Sequence, residues 1–165
     1  MIITCKLLII MSIFSLLGNE EEKAVNEPVA VKTVNNLSGF RMSCSHMRYP
    51  QCYSFSLYQR QEDVFFSASC DIEKKGKRIT IENKKVSQEF WNEFISLAEE
   101  LKICNLPEYK RVKSPVKVRD KTEYYTTLSF GKSYRDVNLH SNTRIILEDF
   151  FFKKAQEEND AQSSE

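Results

Sequence analysis

Cys44 and His46 lie two residues apart in the stretch FRMSCSH, the one place where a thiol and an imidazole are close in this chain. On a β-strand, positions i and i+2 share a face, so the two side chains would stand together as a nucleophile and its base. No third residue to orient the imidazole follows, and no turn offers backbone N–H groups to an oxyanion. A small Cys-dependent enzyme using Cys44 and His46 is therefore carried as an alternative. The other reading is a buried thiol near a half-exposed histidine at a sheet edge.

The cysteines have a second chemistry. Besides Cys5, the chain has Cys44, Cys52, Cys70 and Cys104, an even set of the kind found in disulfide-bearing exported domains. Cys70 falls on the apolar face of a strand and Cys104 on the apolar stripe of a helix, which predicts a bridge between them and leaves Cys44 with Cys52. Plain alternation points Cys44 inward and Cys52 outward, so that second bridge needs a bulge or a longer turn around Pro50. Small reduced core residues are the alternative. The cysteine spacings of 8, 18 and 34 residues bring no histidine to zinc-finger distance, so no metal is expected. With four glycines in the whole chain there is no phosphate-cradling loop, and no cofactor is expected.

Paired carboxylates at Glu99-Glu100, Glu148-Asp149 and Glu157-Glu158 fall on helix faces and read as solvated. The more informative surface residues are Tyr53, Tyr58, Tyr124, Tyr125 and Tyr134. Strand tyrosines outside a covered sheet face present a ring and a hydroxyl to a protein or glycan partner, although at least half of the five are expected in the core or in cross-strand pairs.

Composition narrows the partner. The 165 residues are 41% hydrophobic and 12% aromatic, enough for one core, and 24 Lys and Arg against 23 Asp and Glu give a net charge of +1. That balance supplies no basic field, so nucleic acid is not expected. The stretch EYKRVKSPVKVRDK is locally basic but lacks interleaved aromatic platforms, and it reads as a solvated loop.

The start of the chain has the three parts of an export leader: Lys6, the apolar run Leu7 to Leu17, then Gly18, Asn19 and three glutamates. Residues 1–18 are expected to be a signal peptide, 19–38 a flexible linker, 39–157 a single domain and 158–165 a disordered tail. The expected location is the periplasm, cell envelope or extracellular space. The apolar run is short for a membrane span, so a membrane is touched only through the leader, if that stays uncleaved. LLGN resembles a lipoprotein box, but Asn19 has no thiol to carry a lipid.

Periodicity supplies the elements that position these residues. FRMSCSH, CYSFSLYQ, VFFSASCDI and RITIE alternate at period two and form a four-strand meander; EYYTTLSF and the segment returning through Val137 and Leu139 form a hairpin. Ser87 caps a helix whose stripe is Phe90, Phe94, Leu97, Leu101 and Cys104, widened by Trp91 and Ile95. Ser141 or Asn142 caps a closing helix that docks through Ile146, Leu147, Phe150 and Phe151. The expected fold is α+β, a mostly antiparallel sheet with two amphipathic helices packed on one face.

VSQEFWNEFISLAEEL, the basic loop, TEYYTTLSFGKSYRDVNL and the closing FF helix together resemble small exported or lipoprotein-like bacterial proteins. The resemblance covers about residues 40–155, implies no enzyme activity, and departs from the lipoprotein members at Asn19. The function expected is that of an exported, non-catalytic domain binding a protein or glycan partner. The Cys44/His46 enzyme and a toxin-neutralising, immunity-type protein are the alternatives.

Overall fold

Residues that alternate between apolar and polar form strands because one side of each can be buried while the other stays wet. In the computed structural model, which describes residues 33–46, 53–72, 77–110 and 122–162, these strands are β1 (Gly39–Ser45), β2 (Tyr53–Arg60), β3 (Asp63–Ile72), β4 (Lys77–Val86), β5 (Glu123–Phe130) and β6 (Ser133–Val137). They form one antiparallel sheet in the order β4-β3-β2-β1-β5-β6, so β1 is central and takes β5 from far along the chain. Two helices, α1 (Gln88–Glu100) and α2 (Ser141–Gln162), complete an α+β fold, the class that the alternation predicts.

The inward side chains are Phe40, Met42 and Cys44 on β1, Tyr53, Phe55 and Leu57 on β2, Val64, Phe66, Ala68 and Cys70 on β3, and Thr126, Leu128 and Phe130 on β5. Cross-strand register aligns them: Phe40 faces Leu57 and Leu128, and Met42 faces Phe55 and Thr126. Rings from both helices meet this layer. Phe90 of α1 lies edge-on to Phe66 at 5.1 Å, Phe94 meets Phe40 at 5.0 Å, and Phe151 of α2 stacks on Phe40 at 5.4 Å and on Phe55 at 5.5 Å. At the helix surfaces, Lys154 of α2 reaches Glu93 of α1 at 2.8 Å, and this hydrogen bond raises the lysine above its ordinary value.

The helices differ in detail from the periodicity. Ser87 does cap α1, its side chain accepting from the Phe90 N–H at 3.3 Å. The helix ends at Glu100 rather than running to Cys104, because Lys102 takes a left-handed φ of 52° and the chain continues as a 3-10 turn at Ile103–Asn105. The face of α1 that is fully buried is Phe90, Trp91, Phe94 and Ala98, while Leu97 and Ile95 are half-buried. Ala98 displaces Leu97 because a methyl side chain lets the helix backbone come close to its neighbours.

In α2 the buried residues are Leu147, Phe151 and Ala155, and Ile146 is 44% exposed. Its first turn is closed by the Arg144 N–H bonding to the carbonyl of His140, one residue before the expected cap, and the helix is described through Gln162.

β4 is twice the length of the RITIE segment read from the sequence. The β3–β4 register shifts between Phe66 and Ala68, and Asn83, with φ of 49°, takes part in this bulge. The bulge resets the alternation, so Lys84 pairs with Phe66 and Val86 with Val64. Lys84 then reaches Glu158 of α2 at 2.7 Å, and that inward lysine is why ENKKV does not read as a strand.

The bridge expected between Cys70 and Cys104 is absent: both are buried free thiols. Cys70 pairs across strands with Ile79, whereas Cys104 lies on the 3-10 turn after α1, where its carbonyl accepts from Arg135. The geometry fails because the turn carries Cys104 off the helix stripe. Cys44 is buried on β1 opposite Tyr53, and its expected partner Cys52 lies outside the described residues. So do the leader, residues 19–32 of the linker, the Pro50 turn and most of the basic loop.

Phe151 touches five other rings, Phe40, Phe55, Phe66, Phe94 and Phe150, at 5.1 to 6.2 Å. Phe151→Ala is expected to cost about 3–5 kcal/mol, read as a lowered urea midpoint, because the hole left between sheet and helices cannot collapse. Ile146→Ala, at an exposed position of the same helix, is expected to change stability by no more than about 0.5 kcal/mol.

Candidate functional site

The side chains between the core residues point to the opposite face of the sheet, on which no described helix lies. Cross-strand register sorts them into rows. One row runs Thr80, Ser69, Ser54, Ser43, Tyr125; the next runs Ser67, Ser56, Arg41, Thr127, Asp136; a third runs Lys85, Phe65, Tyr58, Gly39, Ser129, Tyr134. The middle of this face is a floor of hydroxyls with one cation, and aromatic rings stand along its margins.

Two shallow depressions lie on the floor and share Arg41 as the ridge between them. One, of about 210 Å³, is lined by Arg41, Ser43, Tyr125 and Thr127. The other, of about 310 Å³, is bounded by Arg41 at one end and Glu82 at the other, over Ser54, Ser56, Ser67 and Ser69. Some hydroxyls are engaged: Ser67 accepts from the Asn83 N–H at 2.9 Å, Ser69 accepts from Arg78 at 2.9 Å, and Thr127 donates to Asp136 at 2.7 Å. The side chains of Ser43, Ser54 and Ser56 make no hydrogen bond among the described residues.

The five tyrosines divide between the two sides of the sheet. Tyr58, Tyr125 and Tyr134 belong to the open face. Tyr58 stacks on Phe65 at 5.4 Å and donates to Asn83, Tyr125 donates to Glu123, and Tyr134 is 73% exposed. Gly39 keeps the floor low beside Tyr58, since a Cβ there would meet the Tyr58 Cβ at 3.2 Å.

Tyr53 and Tyr124 are on the helix side. Tyr53 is buried and donates to Glu148 of α2 at 2.5 Å; Arg144 pairs with the same carboxylate at 3.2 Å and lies over the Tyr124 ring at 3.8 Å. The buried Nε–H of Arg144 finds no acceptor in line, so that contact is an ion pair rather than a hydrogen bond. Burial, and then the hydrogen bond to Glu148 and its charge, hold the Tyr53 hydroxyl well above its ordinary value, against the pull of Arg144. Tyr53 is thus a fixed donor that pins the start of α2 to the sheet.

Cys44 is 8% exposed at a cross-strand position shared with Tyr53 and Tyr124, and His46 is half-buried just beyond the end of β1. The other described thiols, Cys70 and Cys104, are buried too. Burial, with a contribution from Asp71, pushes Cys70 up to about 11, and burial also raises Cys104. Among the described residues no three His, Cys, Asp or Glu side chains converge to hold a metal ion, and no helix is long and apolar enough to cross a membrane.

Arg41, Ser43, Ser54 and Ser56 were not among the residues that the sequence singled out. Alternation already put each opposite the core, but only the strand order shows that they share one surface.

Burial of Cys70 has a measurable consequence. Its ordinary value of 9.0 is raised to about 11 in the fold, so its contribution to stability is complete below pH 9 and is lost as pH climbs through 11. Urea unfolding between pH 8 and pH 11 is expected to show a decline that Cys70→Ala reduces by on the order of 2 kcal/mol. An identical decline in both proteins would mean that this thiol does not titrate with unfolding.

No protein-family model, no curated protein and no solved structure matches this chain.

Proposed function

We propose that the chain is an exported, non-catalytic binding domain that holds a glycan on the open face of its sheet. The observation that carries this is the hydroxyl floor itself. Ser43, Ser54 and Ser56 present donors and acceptors without partners of their own among the described residues, the half-buried ring of Tyr125 is the cross-strand neighbour of Ser43, and the exposed ring of Tyr134 stands at the margin on β6. Sugars offer the matching surface, a periphery of hydroxyls and C–H faces that lie against aromatic rings. A protein partner is less well matched, because specific protein interfaces centre on buried aromatic or aliphatic anchors, and here the centre is serine.

Export is supported by the leader pattern at residues 1–18. Intact mass of the chain recovered from its host is expected to show loss of the leader in exported material; a full-length cytosolic chain would overturn that part of the proposal. A thiol-dependent reaction is disfavoured by the burial of Cys44. Native-state alkylation at neutral pH is expected to be slow at all described thiols. Fast labelling of Cys44 that His46→Ala slows would restore the enzyme alternative.

The test of binding is amide chemical-shift mapping with a panel of neutral and acidic oligosaccharides. Saturable shifts are expected at Ser43, Ser54, Ser56 and Tyr125, lost in Ser56→Trp, which fills the floor. Shifts confined to the helices, or none with any oligosaccharide, would overturn the proposal.

A further inference from the structure

Arg41 is an exposed cation in the middle of a central strand, and its surroundings are neutral. Its cross-strand neighbours are Ser56 and Thr127, and its diagonal neighbours are Ser54, Tyr58, Tyr125 and Ser129. Three other cations of this face have partners: Arg78 pairs with Asp71 at 3.5 Å, Lys85 pairs with Asp63 at 2.7 Å, and Arg60 lies over the Tyr58 ring at 5.8 Å. Arg41 makes no ion pair or side-chain hydrogen bond among the described residues. The nearest acid in its own row, Asp136, lies two strands away, about 10 Å, and is bonded to Thr127.

The setting of Arg41 also has a cost. Serine is a weaker strand former than the β-branched and aromatic residues, yet it occupies Ser43, Ser54, Ser56, Ser67 and Ser69 on three adjacent strands. Small hydroxyls leave a low floor around the guanidinium, whose donors are bonded to no side chain among the described residues. A planar fork of that kind matches a carboxylate bidentately.

Resting on the glycan reading above, we propose that Arg41 receives the carboxylate of an acidic saccharide, a uronate, whose ring hydroxyls lie on Ser43, Ser54 and Ser56. Glu82 sets the direction. It closes the larger depression three strands from Arg41, about 14 Å away. A carboxylate there repels the acid group and accepts sugar hydroxyls, so the acid end lies at Arg41 and a neutral ring lies toward Glu82. The volume of about 310 Å³ falls at the lower end of the range for small-ligand sites.

The experiment titrates tetragalacturonate and its neutral counterpart galactotetraose into the full chain at low ionic strength, by calorimetry. The acid tetramer is expected to bind about tenfold or more tightly than the neutral one, the difference disappearing in Arg41→Gln. Arg41→Lys keeps the charge but not the fork and is expected to fall between. Lys132→Gln, in the turn between β5 and β6, serves as a distant charge control and is expected to bind like the native chain. Thermal midpoints of all variants verify that each is folded. Equal binding of the two tetramers would overturn the role of Arg41 while leaving a glycan site standing. Equal losses in Arg41→Gln and Lys132→Gln would reduce the effect to general charge and overturn it too. No binding of either tetramer would overturn both this inference and the glycan reading.

Discussion

The fold depends on one ring. Phe151 is where β1, β2, β3, α1 and α2 come together, since it meets Phe40, Phe55, Phe66 and Phe94 at once. No described disulfide or metal supplements it, so cohesion comes from burying aromatic area and from the ring-on-ring geometry that the register of β1, β2 and β3 presents. The polar contacts of the helices act around this centre. Tyr53 and Arg144 converge on Glu148 at one end of α2, and Lys84 holds Glu158 toward the other, so the helix cannot slide along its axis without breaking one of them.

A consequence for the other face follows from that one-sided core. Because the core rings lie on the helix side, most outward positions outside the Tyr58–Phe65 stack can be small and polar. A β-sheet that needed both faces for stability would carry Val and Ile where this one carries Ser43, Ser54, Ser56 and Ser67. Substitutions such as Ser56→Trp or Arg41→Gln on the open face therefore fall outside the ring cluster that holds the fold together.

Much of this architecture is legible in the sequence, and the parts that are not share a physical reason. Alternation marks β1, β2, β3 and β5, and Ser87 marks the start of α1, because these signals are local. The second half of β4 escapes because the bulge at Asn83 reverses the parity and turns Lys84 inward toward a carboxylate that is distant in sequence. The end of α1 escapes because the left-handed turn at Lys102 has no glycine to announce it. The cysteines are misread for a related reason: residues can share an apolar pattern without being neighbours, and Cys70 and Cys104 belong to different parts of the core. As for the open face, periodicity says which side Arg41 occupies and nothing about who stands next to it. The pairing of β1 with β5 supplies that, and it spans some eighty residues.

The bulge in β4 has a bearing on how the molecule behaves in company. β4 is one of the two edge strands of the sheet, and an edge strand exposes unpaired backbone groups that another chain can extend into a continuous ladder. The shift at Ser67 and Asn83 breaks the regular ladder in the middle of that edge strand. A second copy trying to add its own β4 would meet a bent template there. The irregularity that hides this strand from its sequence pattern therefore also guards against fibrous self-assembly, and smoothing it would leave a straighter and stickier edge.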